Sequence, residues 1–417
     1  MATDVVRLSV ADAELEGDAR LAKVEELIGA RNKALAFFLY AYLAQKEHED
    51  SNVSYGNFAT TIRQRTFDNL VIGEKADEPG AYEYLFAAEA AGPNDLLAKL
   101  PLTNGAFDLA LPKLSNSELE SGSYSRTYSS FDPSKLSADK LETLNIEISA
   151  KPADPDAFPE YAQLFEDGTL DVAIHVGGDY NAERYDMQTA KEIFNRLKSD
   201  LALKAPVASF DALKSDSGPF KGTLKSNGKT VNLEVYLYHP DMAKEAAVGY
   251  AGLIDLYKQS AATRDIVIYD GHAGYDASYS GIVVHYNPRH AIAANDFATL
   301  ELPTKYQLFF FNGCKTYTTY ADALYANPAK TPANLDILTT VNFAWMSEMS
   351  RVSTDFLRGL VAKQNGTHLP KTFDAILATL NGGASYSVIY GVHGLADNPH
   401  RSPYANEANL CTKCRVN

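Results

Sequence analysis

The sequence predicts an α/β protein: a three-layer α/β/α domain around a mostly parallel sheet, preceded by a helical and loop-rich N-terminal region. Three observations lead there. From about Leu170 onward, short apolar runs alternate with helical patterns of more than ten residues, the rhythm of a parallel sheet covered by helices. Two of those runs end in glycine-flanked polar residues, His272 and Cys314. The 417 residues also exceed what one core holds, about 250–300 residues, so the chain divides into 1–160, a main domain over 161–395 and a tail over 396–417.

Residues 1–160 open with apolar positions Leu21, Val24, Leu27, Ile28, Leu35, Phe38, Leu39 and Tyr42 at helical spacing, which predicts an amphipathic helix from Asp18 to about Gln45. Beyond it, short apolar pieces mix with turn formers, and Ser115 to Ser137 is dense in Ser, Tyr, Asp and Pro. That stretch reads as loop, and Ser121 to Ser137 as an exposed place for self-cleavage if the region is a pro-segment rather than a recruiting domain.

In the main domain, Leu170 to His175 reads as a first strand and Met187 to Leu201 as a helix. Asn227-Gly228 supplies the positive φ angles of a two-residue turn, so Leu224 to Tyr238 reads as a hairpin. A helix from about Met242 to Gln259 follows, then strands at Asp265–Tyr269 and Gln307–Phe311 and a helix at Thr318–Tyr325. A strand at Ile337–Phe343, helices at Ser350–Lys363 and Thr372–Leu380, and a strand at Tyr386–Tyr390 close the domain.

Composition narrows the function. A hydrophobic fraction of 46% with 22% charged residues supports a buried core and excludes wholesale disorder. A net charge of −15 and a pI near 5.1 repel phosphate backbones and anionic lipid, so no nucleic-acid partner is expected. The longest apolar run, Ala34 to Leu43, covers half of the roughly 20 residues a membrane helix needs, and no leader is legible after Met1, so a soluble chain without a membrane partner is expected. Three cysteines are too few for a disulfide scaffold, and an odd count leaves a free thiol. Cys314 is the natural one, remote from Cys411 and Cys414.

Open α/β sheets bind ligands beyond the carboxyl ends of their strands. There, Asp265-Ile-Val-Ile-Tyr-Asp-Gly-His-Ala-Gly274 runs into His272, and Tyr306-Gln-Leu-Phe-Phe-Phe-Asn-Gly-Cys314 runs into Cys314, 314 − 272 = 42 residues later. One crossover of that length leaves both side chains at the same end of neighbouring strands, where an imidazole takes the thiol proton. A following helix from Thr318 would add its N-terminal dipole. Gly271 and Gly274 allow tight turns, Gly313 allows close substrate approach, and the backbone N–H groups of Ala273 and Cys314 are candidates for an oxyanion hole.

Tyr269-Asp-Gly-His-Ala-Gly274 resembles the histidine block of metacaspases and other caspase-like cysteine peptidases, and the apolar run ending in Asn312-Gly-Cys314 resembles their cysteine block. The order strand–His, crossover, strand–Cys is that of caspases, legumains, gingipains and clostripain-like enzymes. The resemblance implies a cysteine endopeptidase acting on protein or peptide, with His272 as base and Cys314 as nucleophile through a thioester acyl-enzyme. Two departures stand out: Ala273 replaces the usual glycine after the histidine, and Gly313 the usual Ala or Ser before the cysteine. Family members hold the first substrate side chain partly with residues at the end of the first strand, here Val176-Gly-Gly-Asp-Tyr-Asn181. Asp179 there is the candidate substrate-binding residue and favours a basic side chain, while nearby Arg184 offers the opposite sign.

Structural readings stand beside these. Cys314 after three phenylalanines fits the end of a core strand, and His272 fits a satisfied core histidine. Asp179 after Gly-Gly fits a turn or cap residue. Alternative functions are an inactive caspase-like binding protein and another Cys–His amidase or acyl transferase. His393, His400, Cys411 and Cys414 form a nominal four-ligand set at non-standard spacing, so a terminal disulfide or two free thiols is preferred and no metal is expected. No acidic loop has calcium-ligand spacing, and no cofactor is expected.

Overall fold

The computed structural model describes residues 1–48, 61–63, 71–87, 89–91, 96–149, 156–226, 228–273, 280–382 and 388–404. The chain forms two compact units, Met1–Pro152 and Ala153–Asn417.

In the first unit, β1 (Ala2–Arg7) leads into a long helix, α1 (Gly17–His48), followed by β2 (Thr61–Arg63), β3 (Val71–Glu74), β4 (Ala81–Phe86), β5 (Glu89–Ala91) and β6 (Ala106–Pro112). Helix α2 (Asn116–Ser121) and β7 (Leu141–Glu147) complete it. The predicted helix is present, with Val24, Leu27, Ile28, Leu35, Phe38 and Leu39 buried. The helical and loop-rich reading of the rest is corrected. β1, β4 and β3 form an antiparallel sheet, and β2–β5 and β6–β7 form antiparallel pairs. A buried ion-pair cluster ties these strands to the helix: Arg31 reaches Asp4 at 2.8 Å and Glu142 at 2.7 Å, and Tyr84 donates to Asp4. The stretch 115–137 is not an extended loop. Ser115 and Glu118 close a capping box on α2, and short 3-10 turns follow, anchored by buried Tyr124 against Phe37 and Phe38.

The second unit contains α3 (Tyr161–Leu164), β8 (Thr169–Val176), α4 (Tyr185–Ser199), β9 (Phe220–Ser226), β10 (Lys229–Tyr238), α5 (Gly249–Thr263), β11 (Ile266–Asp270), β12 (Gly281–Tyr286), β13 (Arg289–Ala293) and β14 (Gln307–Asn312). It continues with α6 (Tyr320–Tyr325), β15 (Leu335–Thr340), α7 (Met346–Leu360), β16 (Lys363–Gln364), β17 (Thr367–His368), α8 (Phe373–Asn381) and β18 (Tyr390–His393). Among the described residues, nine strands form one mixed sheet in the order β16-β17-β9-β10-β8-β11-β14-β15-β18. The central five, β10-β8-β11-β14-β15, are parallel. Their apolar runs are buried on both faces, as a parallel sheet requires.

Counted along the chain, the parallel strands have the spatial order 2-1-3-4-5, so the winding reverses between β8 and β11. Right-handed crossovers running in opposite directions then place helices on both faces. α7 packs on both α4 and α8, whereas α5 packs on the β12–β13 hairpin. That hairpin lies within the crossover from β11 to β14 and was not expected as an element. The helix expected from Met242 instead begins as a 3-10 turn (Pro240–Lys244), and α5 starts at Gly249. Residues 396–404, expected as tail, are tied to the second unit. Asn398 donates to Phe158 and Asp336, and Tyr404 bonds Ser226 and His368. Of the nominal ligand set, His393 bonds Thr339 and His400 bonds Asp156, while Cys411 and Cys414 lie outside the described residues.

Candidate active site

Strand register sets the site. Asp270 at the end of β11 is paired with Asn312 at the end of β14, and His272 and Cys314 each lie two residues beyond. Asp270 is paired on its other side with Val176 of β8, and Asp179 follows three residues later. The ends of β8 and β11 flank the winding reversal, the position at which open α/β sheets bind ligands.

Close backbone approach holds the three strand ends. Gly178 donates its N–H to the Val283 carbonyl of β12, and a Cβ there would meet the Val284 carbonyl oxygen at 2.5 Å. The glycine pair at 177–178 therefore serves the β8-to-β12 junction rather than substrate approach. A Cβ on Gly313 would lie 2.7 Å from the Gly271 carbonyl oxygen and 3.0 Å from the Ala273 Cβ. The histidine and cysteine blocks thus touch through Gly313. Gly274 lies outside the described residues.

His272 is 18% exposed at its side chain, and its Nε2 lies 2.9 Å from Asp179 Oδ1. Because an ionised carboxylate only accepts, this bond assigns the Nε2 proton and leaves Nδ1 as the proton acceptor. The Asp179 side chain is fully buried. Its Oδ1 also accepts from the Asn181 amide and side chain, and its Oδ2 accepts from the Tyr185 N–H. Burial alone would raise this carboxyl, but the bonds from His272 and Asn181 hold it below the usual carboxylate range. Both Asp179 oxygens, expected to meet substrate, are thus engaged by His272, Asn181 and Tyr185. Arg184 is committed as well, to Asp186 at 2.9 Å and Asp241 at 2.8 Å.

Cys314 is half-buried, and its thiol donates to the Ala344 carbonyl at 3.5 Å. Burial pushes the thiol above its ordinary value, against the opposing pull of Ala344 and the Lys315 charge. Burial also pushes the Lys315 ammonium down, to about 8. Among the described residues no hydrogen bond joins His272 and Cys314, so the resting thiol is turned to Ala344. Lys315 occupies the left-handed region at φ 54°, and its N–H donates to the Asn342 carbonyl, which folds the chain sharply at the cysteine. The expected helix dipole is absent here, because α6 begins six residues after Cys314 and is only six residues long. Among the described residues the N–H groups of Ala273 and Cys314 enter no backbone hydrogen bond.

Several residues of the site have no role assigned from the sequence. Tyr269, buried at the end of β11, donates its hydroxyl to the His272 carbonyl at 3.0 Å and accepts from the Val283 N–H. Tyr180 stacks on the His272 ring at 4.5 Å, and Tyr286 meets both rings edge-on. Under the site, Asp270 Oδ1 accepts from Asn312 and Ser353 at 2.7 Å each, and Tyr390 donates to Asn312. A separate cavity of about 820 Å³, lined by Ile254, Lys258, Ala291, Asp296 and Glu301, lies along α5 and β13 and includes neither His272 nor Cys314.

No family model matches the chain, and no curated protein matches it. A solved structure described as "Structure of Protease" is similar over 60% of this chain and 53% of that one, with 14% identity and a TM-score of 0.32. The chain thus spans about half of that structure. At this TM-score the likeness carries no weight for fold or function. No helix among the described residues is long and apolar enough to cross a membrane.

Proposed function

We propose that this chain is a caspase-like cysteine endopeptidase that cleaves protein or peptide through a thioester at Cys314, with His272 as general base and acid. The observation that carries the reading is the register. A histidine and a cysteine follow paired parallel strands at equal height, beside the winding reversal, and the histidine is oriented by a buried carboxylate. Nucleophile, base and orienting group are the parts that acyl transfer requires.

His272 Nδ1 takes the thiol proton as the sulfur leaves the Ala344 carbonyl and attacks the scissile carbonyl carbon. The C=O electron pair moves to oxygen, which the Ala273 and Cys314 N–H groups receive. Collapse expels the amine, which takes the proton from His272, and leaves the thioester. Water, deprotonated by His272, attacks that thioester, and the returning proton restores the thiol. Asp179 keeps the imidazole in the tautomer both half-reactions need. Burial pushes the thiol above its ordinary value, so the base has a proton to remove from the sulfur.

An inactive binding protein of the same architecture is the second reading, and the thiol's bond to Ala344 favours it. Labelling of the whole chain with peptide acyloxymethyl ketones, followed by mapping of the modified residue, separates the two. Modification at Cys314 that is slowed at least about 100-fold in His272→Ala is expected for the peptidase. Lack of labelling, with a small thiol reagent still reaching Cys314, would sink it. The same experiment bears on a Cys–His amidase or acyl transferase, which would favour small amides over peptides.

A further inference from the structure

The charges expected to select substrate are already spent. Asp179 is fully buried on His272, Asn181 and Tyr185, and Arg184 is held between Asp186 and Asp241. What surrounds His272 instead is aromatic. Among the described residues of the second unit, the large hydrophobic side chains left exposed are Tyr180, at 64%, and Tyr185, at 41%. Tyr180 lies on the connection from β8 to α4, with its ring on His272, and Tyr185 is the first residue of α4. An isolated exposed apolar side chain is ordinary, but one whose ring lies on the candidate base needs a reason.

The local geometry holds this surface in place. Asp179 Oδ1 accepts the Asn181 N–H and Oδ2 accepts the Tyr185 N–H, so the segment that follows Tyr180 hangs from the carboxylate that precedes it. Tyr180 then stacks on the imidazole at 4.5 Å with a 26° tilt, and Tyr286 stands edge-on to Tyr180 at 5.2 Å and to His272 at 5.4 Å. The result is a preset aromatic corner with the imidazole as one wall. A planar or bulky apolar side chain fits such a corner by offset or edge-to-face contact, whereas a charged one finds no free counter-charge in Asp179 or Arg184.

Chemistry decides which substrate residue meets it. In the proposed reaction His272 hands its proton to the departing amine, so the imidazole lies over the nitrogen of the residue that follows the scissile bond. We infer that Tyr180 and Tyr286, with the His272 ring, form a subsite for an aromatic or large aliphatic side chain immediately after the scissile bond, making the peptidase selective on its leaving-group side. This inference rests on the peptidase reading.

The test uses internally quenched peptides that differ only after the cleavage point, carrying Phe, Leu, Ala, Asp or Lys, with the whole chain. In parallel, a peptide acyloxymethyl ketone, which has no residue beyond the reactive carbon, reports on Cys314 alone. Phe and Leu are expected to exceed Ala, Asp and Lys in kcat/KM by about 10- to 100-fold. That ratio is expected to survive in Tyr180→Phe and to collapse in Tyr180→Ser. A flat or charge-selective profile, with Cys314 still labelled, would overturn the subsite and leave the peptidase reading standing. An equal loss for Phe and Ala peptides in Tyr180→Ser would also overturn it, because Tyr180 would then act only on His272. Absence of both labelling and cleavage would overturn the two together.

Discussion

Asp179 and His272 are 93 residues apart in the chain and 2.9 Å apart in the fold. That bond determines which imidazole nitrogen is free to accept a proton. In Asp179→Asn the side chain keeps its shape, but its amide end can donate to Nε2 and so favours the other tautomer. The expected outcome is a fall of about 10²- to 10⁴-fold in kcat with little change in KM, read from steady-state cleavage and from the rate of Cys314 labelling. A variant as active as the parent would return Asp179 to the role of a turn residue. Selection of a basic side chain by Asp179 would instead appear as a rise in KM confined to Arg and Lys peptides.

The strands and their junctions govern whether those residues meet. Gly313 is where the end of β14 rests on Gly271 and Ala273, and no larger side chain fits without moving backbone. Gly313→Ala is expected to cost about 1–3 kcal/mol of stability, leaving the protein folded by circular dichroism while Cys314 labelling is lost. Full labelling in this variant would show that the two blocks need not touch. Just below, Asp270 is fully buried, its Oδ1 shared by Asn312 and Ser353 and its Oδ2 without a partner among the described residues. Burial pushes this carboxyl up to about 7 from an ordinary 3.8, although both hydrogen bonds pull it down. The folded state therefore binds the proton more tightly than the unfolded chain. Stability from this group is present below about pH 4 and is lost as pH rises through about 7. Asp270→Asn mimics the protonated form. Its melting temperature is expected to gain on the parent's progressively between pH 4 and 8, at about 2–4 °C per kcal/mol. A constant difference across that range would mean that Asp270 does not titrate there.

At the scale of the whole molecule, each unit carries its own core. One is built on α1 with β1, β4, β6 and β7, and the other on the nine-stranded sheet. Residues 153–417 alone are expected to melt cooperatively and to keep Cys314 labelling; an unfolded fragment would show that residues 1–152 are needed for folding. The sequence by itself determined the α/β rhythm after Leu170, the helix after Asp18 and the positions of His272 and Cys314 at strand ends. These are local patterns: a period of two or 3.6, and a polar residue where an apolar run stops. It did not reveal the strands of the first unit, because β1 finds its partner β4 only some 75 residues later and short runs between turns look like loop. Nor did it decide the charges at the site. Asp179 has the same neighbours in sequence whether it faces a substrate or a histidine, and Arg184 is neutralised by Asp241, 57 residues away. Which strand lies beside which, and therefore which buried charge meets which donor, is set by long-range packing, and only the tertiary structure decided it.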